Sequence, residues 1–223
     1  AGDALTDADF NVAIGIAALS SDTLGSRSTA IGDNALAAQN FTTATDTYNT
    51  AVGFSTGKAI TTGTNNTLIG SIAGDALTTG ERNVAVGYNA LSDDTKGQRN
   101  VAIGDSALGD QNFTTATNSY NVAMGYFAGG AITTGTLNTI IGGLAGDAIT
   151  TGYSNVALGY LALSTDTLGA TSIAIGTGAL RNQNFTTATT TYNVAIGDTA
   201  GNAITTGTRN TLIGGLTGDS LTT

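Results

Sequence analysis

A five-residue motif, Asn-Val-Ala-Ile-Gly with variants, returns twelve times along the chain. It starts at Asn11, Ser28, Asn49, Asn66, Asn83, Asn100, Asn121, Asn138, Asn155, Ser172, Asn193 and Asn210. The intervals run 17, 21, 17 and 17 residues and then recur, which makes a super-repeat of 72 residues. Asn11, Asn83 and Asn155 hold the same place in three successive blocks, 11–82, 83–154 and the incomplete 155–223. Each 21-residue unit carries the insert QNFTTAT at 39–45, 111–117 and 183–189. A chain built this way buries each unit against its own copies.

One unit is too short for a strand followed by a helix of ordinary length. Gly, Thr, Asn and Val recur in it, and all rank low as helix formers. Turn signals arrive every few residues. The expectation is all-β: a repeat β-solenoid in which each unit is one coil made of a short strand, a turn, a second short strand and a turn. Residues 1–223 form a single array of 12 coils in this reading. Residues 1–10 match the tail of the unit at 73–82, and GDSLTT closes inside the same unit. The chain is therefore expected to be a window of a longer fibre.

Composition removes several function classes. The chain has 32 Gly and no Pro, Cys, Trp or His. Cys- or His-based catalysis and Cys/His zinc sites are excluded. A formal net charge of −9 argues against nucleic acid and anionic lipid as partners. No uninterrupted apolar run is long enough for a membrane-spanning helix, and no signal-peptide pattern is present.

The four places before the motif glycine differ in character. The second is always β-branched, and the fourth is always large and aliphatic, from Ile14 through Met124 and Leu158 to Ile213. The third is Ala in nine copies and Leu68, Ile140 or Leu212 in the others. Places two and four share one strand face, and place three points the other way. A strand apolar on both faces is buried on both. One narrow coil has only one interior, so the other face is expected to cover a second copy of the chain. Leu68, Ile140 and Leu212 are the expected knobs of that interface.

The motif glycines Gly15, Gly32, Gly53, Gly70, Gly87, Gly104, Gly125, Gly142, Gly159, Gly176, Gly197 and Gly214 are read as structural, at turns that need positive φ or close approach between coils. The opening Asn is read as a turn residue able to hydrogen-bond along a ladder.

Runs such as NVAVGYNALSDDTKGQRNVAIGDSAL at 83–108 resemble the head repeats of trimeric autotransporter adhesins, and similar runs occur in phage tail fibres. The resemblance extends over all twelve motifs. It implies a left-handed parallel β-roll with three chains around a common axis. The units here are longer than the plain head repeat of that family, and the extra residues are expected in outer loops.

Candidate chemistry is sparse. Asp22, Asp94 and Asp166 occupy one equivalent place, and Asp3, Asp75, Asp147 and Asp219 another. Carboxylates repeated in every block read as solvated turn residues rather than a single catalytic pair. No calcium-loop pattern and no phosphate-binding glycine loop is present. The TTAT and TTGT strings fall at different places in their units, so they are not expected to make one flat threonine array. The sequons at Asn40, Asn65, Asn112 and Asn184 are common tripeptides and carry little weight. The aromatic pairs Phe41 and Tyr48, Phe113 and Tyr120, and Phe185 and Tyr192 recur once per block. They are either surface contacts for a glycan or receptor, or loop aromatics folded onto the coil; the second reading is favoured.

The sequence reading is thus a structural repeat segment of an extracellular, cell-surface or virion fibre. It acts as a stiff spacer, it is not an enzyme, and it has no cofactor and no metal. Its partner is itself, as a homotrimer, and a host surface or glycan is the alternative partner. An adhesive head and a tailspike-like hydrolase segment are the alternative functions.

Overall fold

The computed structural model spans residues 1–223 and contains strands and turns but no helix. It is a parallel β-solenoid. The residues group into two compact units, residues 1–106 with 111–118, and residues 107–110 with 119–223. In the first unit the ladder strands are Val12–Ile14, Thr29–Ile31, Thr50–Val52, Thr67–Ile69, Val84–Val86 and Val101–Ile103. In the second they are Val122–Met124, Thr139–Ile141, Val156–Leu158, Ile173–Ile175, Val194–Ile196 and Thr211–Ile213. Each strand is places two to four of one motif. Pairing is parallel and like meets like: Ala13 faces Ala30, and Ile14 faces Ile31. The same holds where the step is 21 residues, as Ala174 pairs with Ala195.

The expected second strand is shorter and rarer than the sequence suggests. It appears only as two-residue pairs around each insert: Gly25–Ser26 with Thr45–Asp46, Gly97–Gln98 with Thr117–Asn118, and Gly169–Ala170 with Thr189–Thr190. Elsewhere the return path turns too often to be a strand. Non-glycine residues such as Leu19 (φ 51), Asn34 (φ 59) and Arg27 (φ 64) sit in the left-handed region. Each such residue costs about 1–2 kcal/mol. A hydrogen bond to the neighbouring coil offsets part of that cost. Leu19 N–H donates to the Ala35 carbonyl at 3.0 Å, Asn34 N–H to Ile16 at 2.8 Å, and Arg27 N–H to Asp9 at 3.0 Å.

The interior reverses the expected assignment of the two strand faces. Third-place residues from Ala30 through Ala195 point into the coil, and Leu68 and Ile140 are fully buried within the chain itself. Leu212 is half-buried, and a β-carbon on Gly201 or Gly218 would stand 2.9 Å from its Cδ1. These three are core residues and not knobs of an interface. The bulky second and fourth places face outward instead.

The reason lies in volume matching further along the coil. The ninth place alternates in pairs: Leu19, Leu36, Gly57, Gly74, then Leu91, Leu108, Gly129, Gly146. Where it is Gly, the twelfth place is aliphatic: Ile60, Leu77, Ile132 and Ile149, all buried. Leu68 enters between two such glycines. A β-carbon on Gly57 would come within 2.8 Å of Leu68 Cδ1 and 3.1 Å of Leu36 Cδ2. One placed on Gly74 would lie 3.0 Å from Leu68 Cδ2. A narrow interior holds a limited volume per level: Leu68 and Leu77 share one coil because its ninth place is Gly74, and Ala in the third place elsewhere is likewise a packing residue.

Candidate functional site

Where the ninth place is Leu, the twelfth is polar, and this builds the only buried ionisable groups of the coil interior. Asp22, Asp94 and Asp166 are fully buried, not the solvated turn residues that their repetition suggests. Asp22 Oδ1 accepts from Gly25 N–H at 3.1 Å and Phe41 N–H at 3.0 Å, and its Oδ2 accepts from Gln39 Nε2 at 2.5 Å. Gln39 Nε2 also donates to Ser28 Oγ at 2.8 Å, and Gln39 Oε1 accepts from Asn49 Nδ2 at 2.9 Å. The cluster recurs around Asp166, with Gly169, Phe185, Gln183, Ser172 and Asn193 in the corresponding roles. Asp94 accepts from Gly97, Phe113 and Gln111 in the same way. A β-carbon on Gly25 would overlap the Asp22 carboxylate, which explains the spacing Asp-Thr-x-Gly in each block. The cluster ties the first residues of the insert to the coil beneath.

Burial pushes the Asp94 and Asp166 carboxyls above their ordinary range, against the lowering effect of these hydrogen bonds. Asp75 and Asp147, at the other repeated place, are half-buried and also raised, chiefly by desolvation. Asp3 and Asp219 are exposed. No three carboxylates converge as a metal site, and the surface carries no pocket.

The opening Asn residues form an internal ladder. Asn66 Nδ2 donates to the Gly80 carbonyl at 2.9 Å, and Asn66 Oδ1 accepts from Asn83 N–H at 3.0 Å. The pattern repeats at Asn138, with Gly152 and Asn155. Within each unit these side chains staple one coil to the next. The threonine strings divide in role. Thr61, Thr133 and Thr205 donate their hydroxyls to the carbonyls of Thr78, Thr150 and Thr222 one coil on. Thr45, in the insert, donates to Thr43 within its own loop.

The paired aromatics of the insert separate. Phe41, Phe113 and Phe185 fold down and are buried. Tyr48, Tyr120 and Tyr192 remain about half exposed, in left-handed conformation. The Tyr48 ring centre is 5.8 Å from the Arg27 guanidinium, which also lies 4.9 Å from the Phe10 ring centre and pairs with Asp46 at 3.0 Å. That ion pair is solvent-exposed and adds little stability.

Two surface features escaped the sequence reading. The outward second and fourth places make an apolar face on each ladder, with Ile69, Met124, Leu158 and Ile196 among its exposed members. Beside it, one residue past the motif glycine, stand Phe54, Tyr88, Tyr126 and Tyr160, with exposures of 55, 57, 59 and 54%. Phe54 and Tyr88 stand two coils apart in the first unit, as do Tyr126 and Tyr160 in the second; Ile16 holds this place in the first coil and Asp198 in the eleventh, where the alternation ends. That alternation is visible once the units are aligned on the motif glycine.

Comparison with family models, with curated proteins and with solved structures returns no match for this chain.

Proposed function

We propose that this chain is a structural segment of an extracellular or virion fibre and that it self-associates, as a trimer, through the outward face of its ladders. The observation that carries the reading is that face. The coil interior is filled by the chain's own third-, eighth-, ninth- and twelfth-place residues, yet the second and fourth places are apolar or Thr in every coil. Exposed apolar rows of this kind mark association surfaces. The resemblance to adhesin head repeats supports the trimer and left-handed winding. Cell-surface or virion location follows from the same resemblance.

Light scattering tests the association. Ile69→Asp, Leu158→Asp and Ile196→Asp together place charges on the outer face without entering the core. The expected result is an oligomeric parent and a folded, dissociated variant. A monomeric parent, or a variant that assembles normally, refutes the reading.

A further inference from the structure

We propose that the aromatic pairs Phe54 with Tyr88, in the first compact unit, and Tyr126 with Tyr160, in the second, each bind an extended β-1,4-linked glycan lying along the coil-stacking direction. The inference goes beyond the spacer reading and does not depend on it. Within each unit, successive aromatics stand two coils apart, about 9.6 Å at the ordinary strand spacing. This is close to the disaccharide repeat of an extended β-1,4 chain, whose alternate sugar rings present the same apolar face. Aromatic side chains supply flat apolar area suited to such faces.

The intervening coils make room for flat rings. Between Phe54 and Tyr88 the equivalent residue is Ser71, and between Tyr126 and Tyr160 it is Gly143. A β-carbon on Gly143 would stand 3.7 Å from Tyr160 Cδ2, so that ring leans over the glycine. The alternation of large and small places one stacking platform per disaccharide, with a hydroxyl or open backbone between platforms. Tyr48, Tyr120 and Tyr192 are equally exposed but recur only every four coils, and so do not match the glycan period.

The experiment uses the whole chain with three probes: chitohexaose, cellohexaose and a maltohexaose of coiled α-1,4 linkage. Calorimetry and retention on insoluble chitin and cellulose read the binding. The parent is expected to bind a β-1,4 probe and not maltohexaose; retention on chitin alone assigns an N-acetylated sugar. Replacing Tyr88, Tyr126 and Tyr160 together by Ala is expected to weaken binding at least about tenfold, as the loss of several stacked aromatic faces requires. The corresponding Tyr→Phe set keeps the rings and is expected to keep binding. Should the Ala set fail to fold, a Leu set at the same places retains bulk without the flat face and is expected to show the same loss. Replacing Tyr48, Tyr120 and Tyr192 by Ala is expected to leave binding unchanged. The proposal is overturned by a parent that binds neither β-1,4 probe, by equal binding of maltohexaose, or by equal loss in the Tyr48, Tyr120 and Tyr192 set.

Discussion

At the residue scale, the chain places carboxylates where a narrow coil has no water. Asp166 sits between two backbone donors and the Gln183 amide, and burial raises its pKa. The folded state therefore holds the proton more tightly than the unfolded chain, whose aspartates titrate near pH ~3.9. The contribution of Asp94 and Asp166 to stability is fully present below that value and is lost as pH rises through the folded pKa. Asp166→Asn removes this titration and points an amide donor at Gln183 Nε2, at a cost of about 1–3 kcal/mol. Thermal melts of parent and variant from pH 3 to 7 check it. The gap between their midpoints should widen toward acid; a gap that widens toward neutral pH contradicts the raised pKa.

At the scale of one coil, packing and turn geometry set the tolerance to change. Leu68→Ala empties the space between Gly57 and Gly74 and is expected to cost about 2–5 kcal/mol by denaturant unfolding. Gly57→Ala alone drives a β-carbon toward Leu68 at a positive φ. Combined with Leu68→Ala, that methyl enters the vacated volume, so the double variant should be less destabilised than the sum of the two singles. Strict additivity would show that the two residues do not share a cavity. The motif glycine is less forgiving. Gly159 has φ +133, and a β-carbon there would stand 2.6 Å from the Gly176 carbonyl oxygen. No flexible side chain can yield at that contact, since the obstacle is backbone. Gly159→Ala is expected to cost on the order of 2–4 kcal/mol, read as a fall in melting midpoint.

At the scale of the whole molecule, the same register in every step within each unit makes whole blocks interchangeable. Deleting residues 11–82 joins Phe10 directly to Asn83, so every coil keeps the neighbour type it had. Nearest-neighbour stability in solenoids tolerates such a cut. The shortened chain should keep its strand-type circular dichroism and a cooperative melt, with four coils, about 19 Å of stacking, removed. Removing 66–82 instead, a single 17-residue unit, brings Asn65 to Asn83 and discards Leu68 together with Gly74, leaving Gly57 without the side chain that fills its space. The block deletion should therefore be the milder of the two despite its greater length. A more stable single-unit deletion would refute volume matching across coils.

The sequence by itself determined the coil period and the place of the ladder strand in each coil, because a motif that returns along the chain pairs with its own copies, whereas the second strand it also suggested forms only around the inserts. It also determined the motif glycines, since an obligatory close approach recurs at every level. Phe41, Phe113 and Phe185 were legible as loop aromatics folded inward, but the same reading folded Tyr48, Tyr120 and Tyr192 with them, and these stay about half exposed. Tertiary structure alone decided which strand face is inside. Period-two alternation separates Leu68 from Thr67 and Ile69 but does not say which side is the interior. That choice depends on how much room the opposite wall leaves, and the wall lies six to nine residues away in the same coil or in the next one. The same distant wall turned Asp22, Asp94 and Asp166 from surface residues into buried ones, because Leu at the ninth place fills the apolar end and leaves the polar end to Asp and Gln.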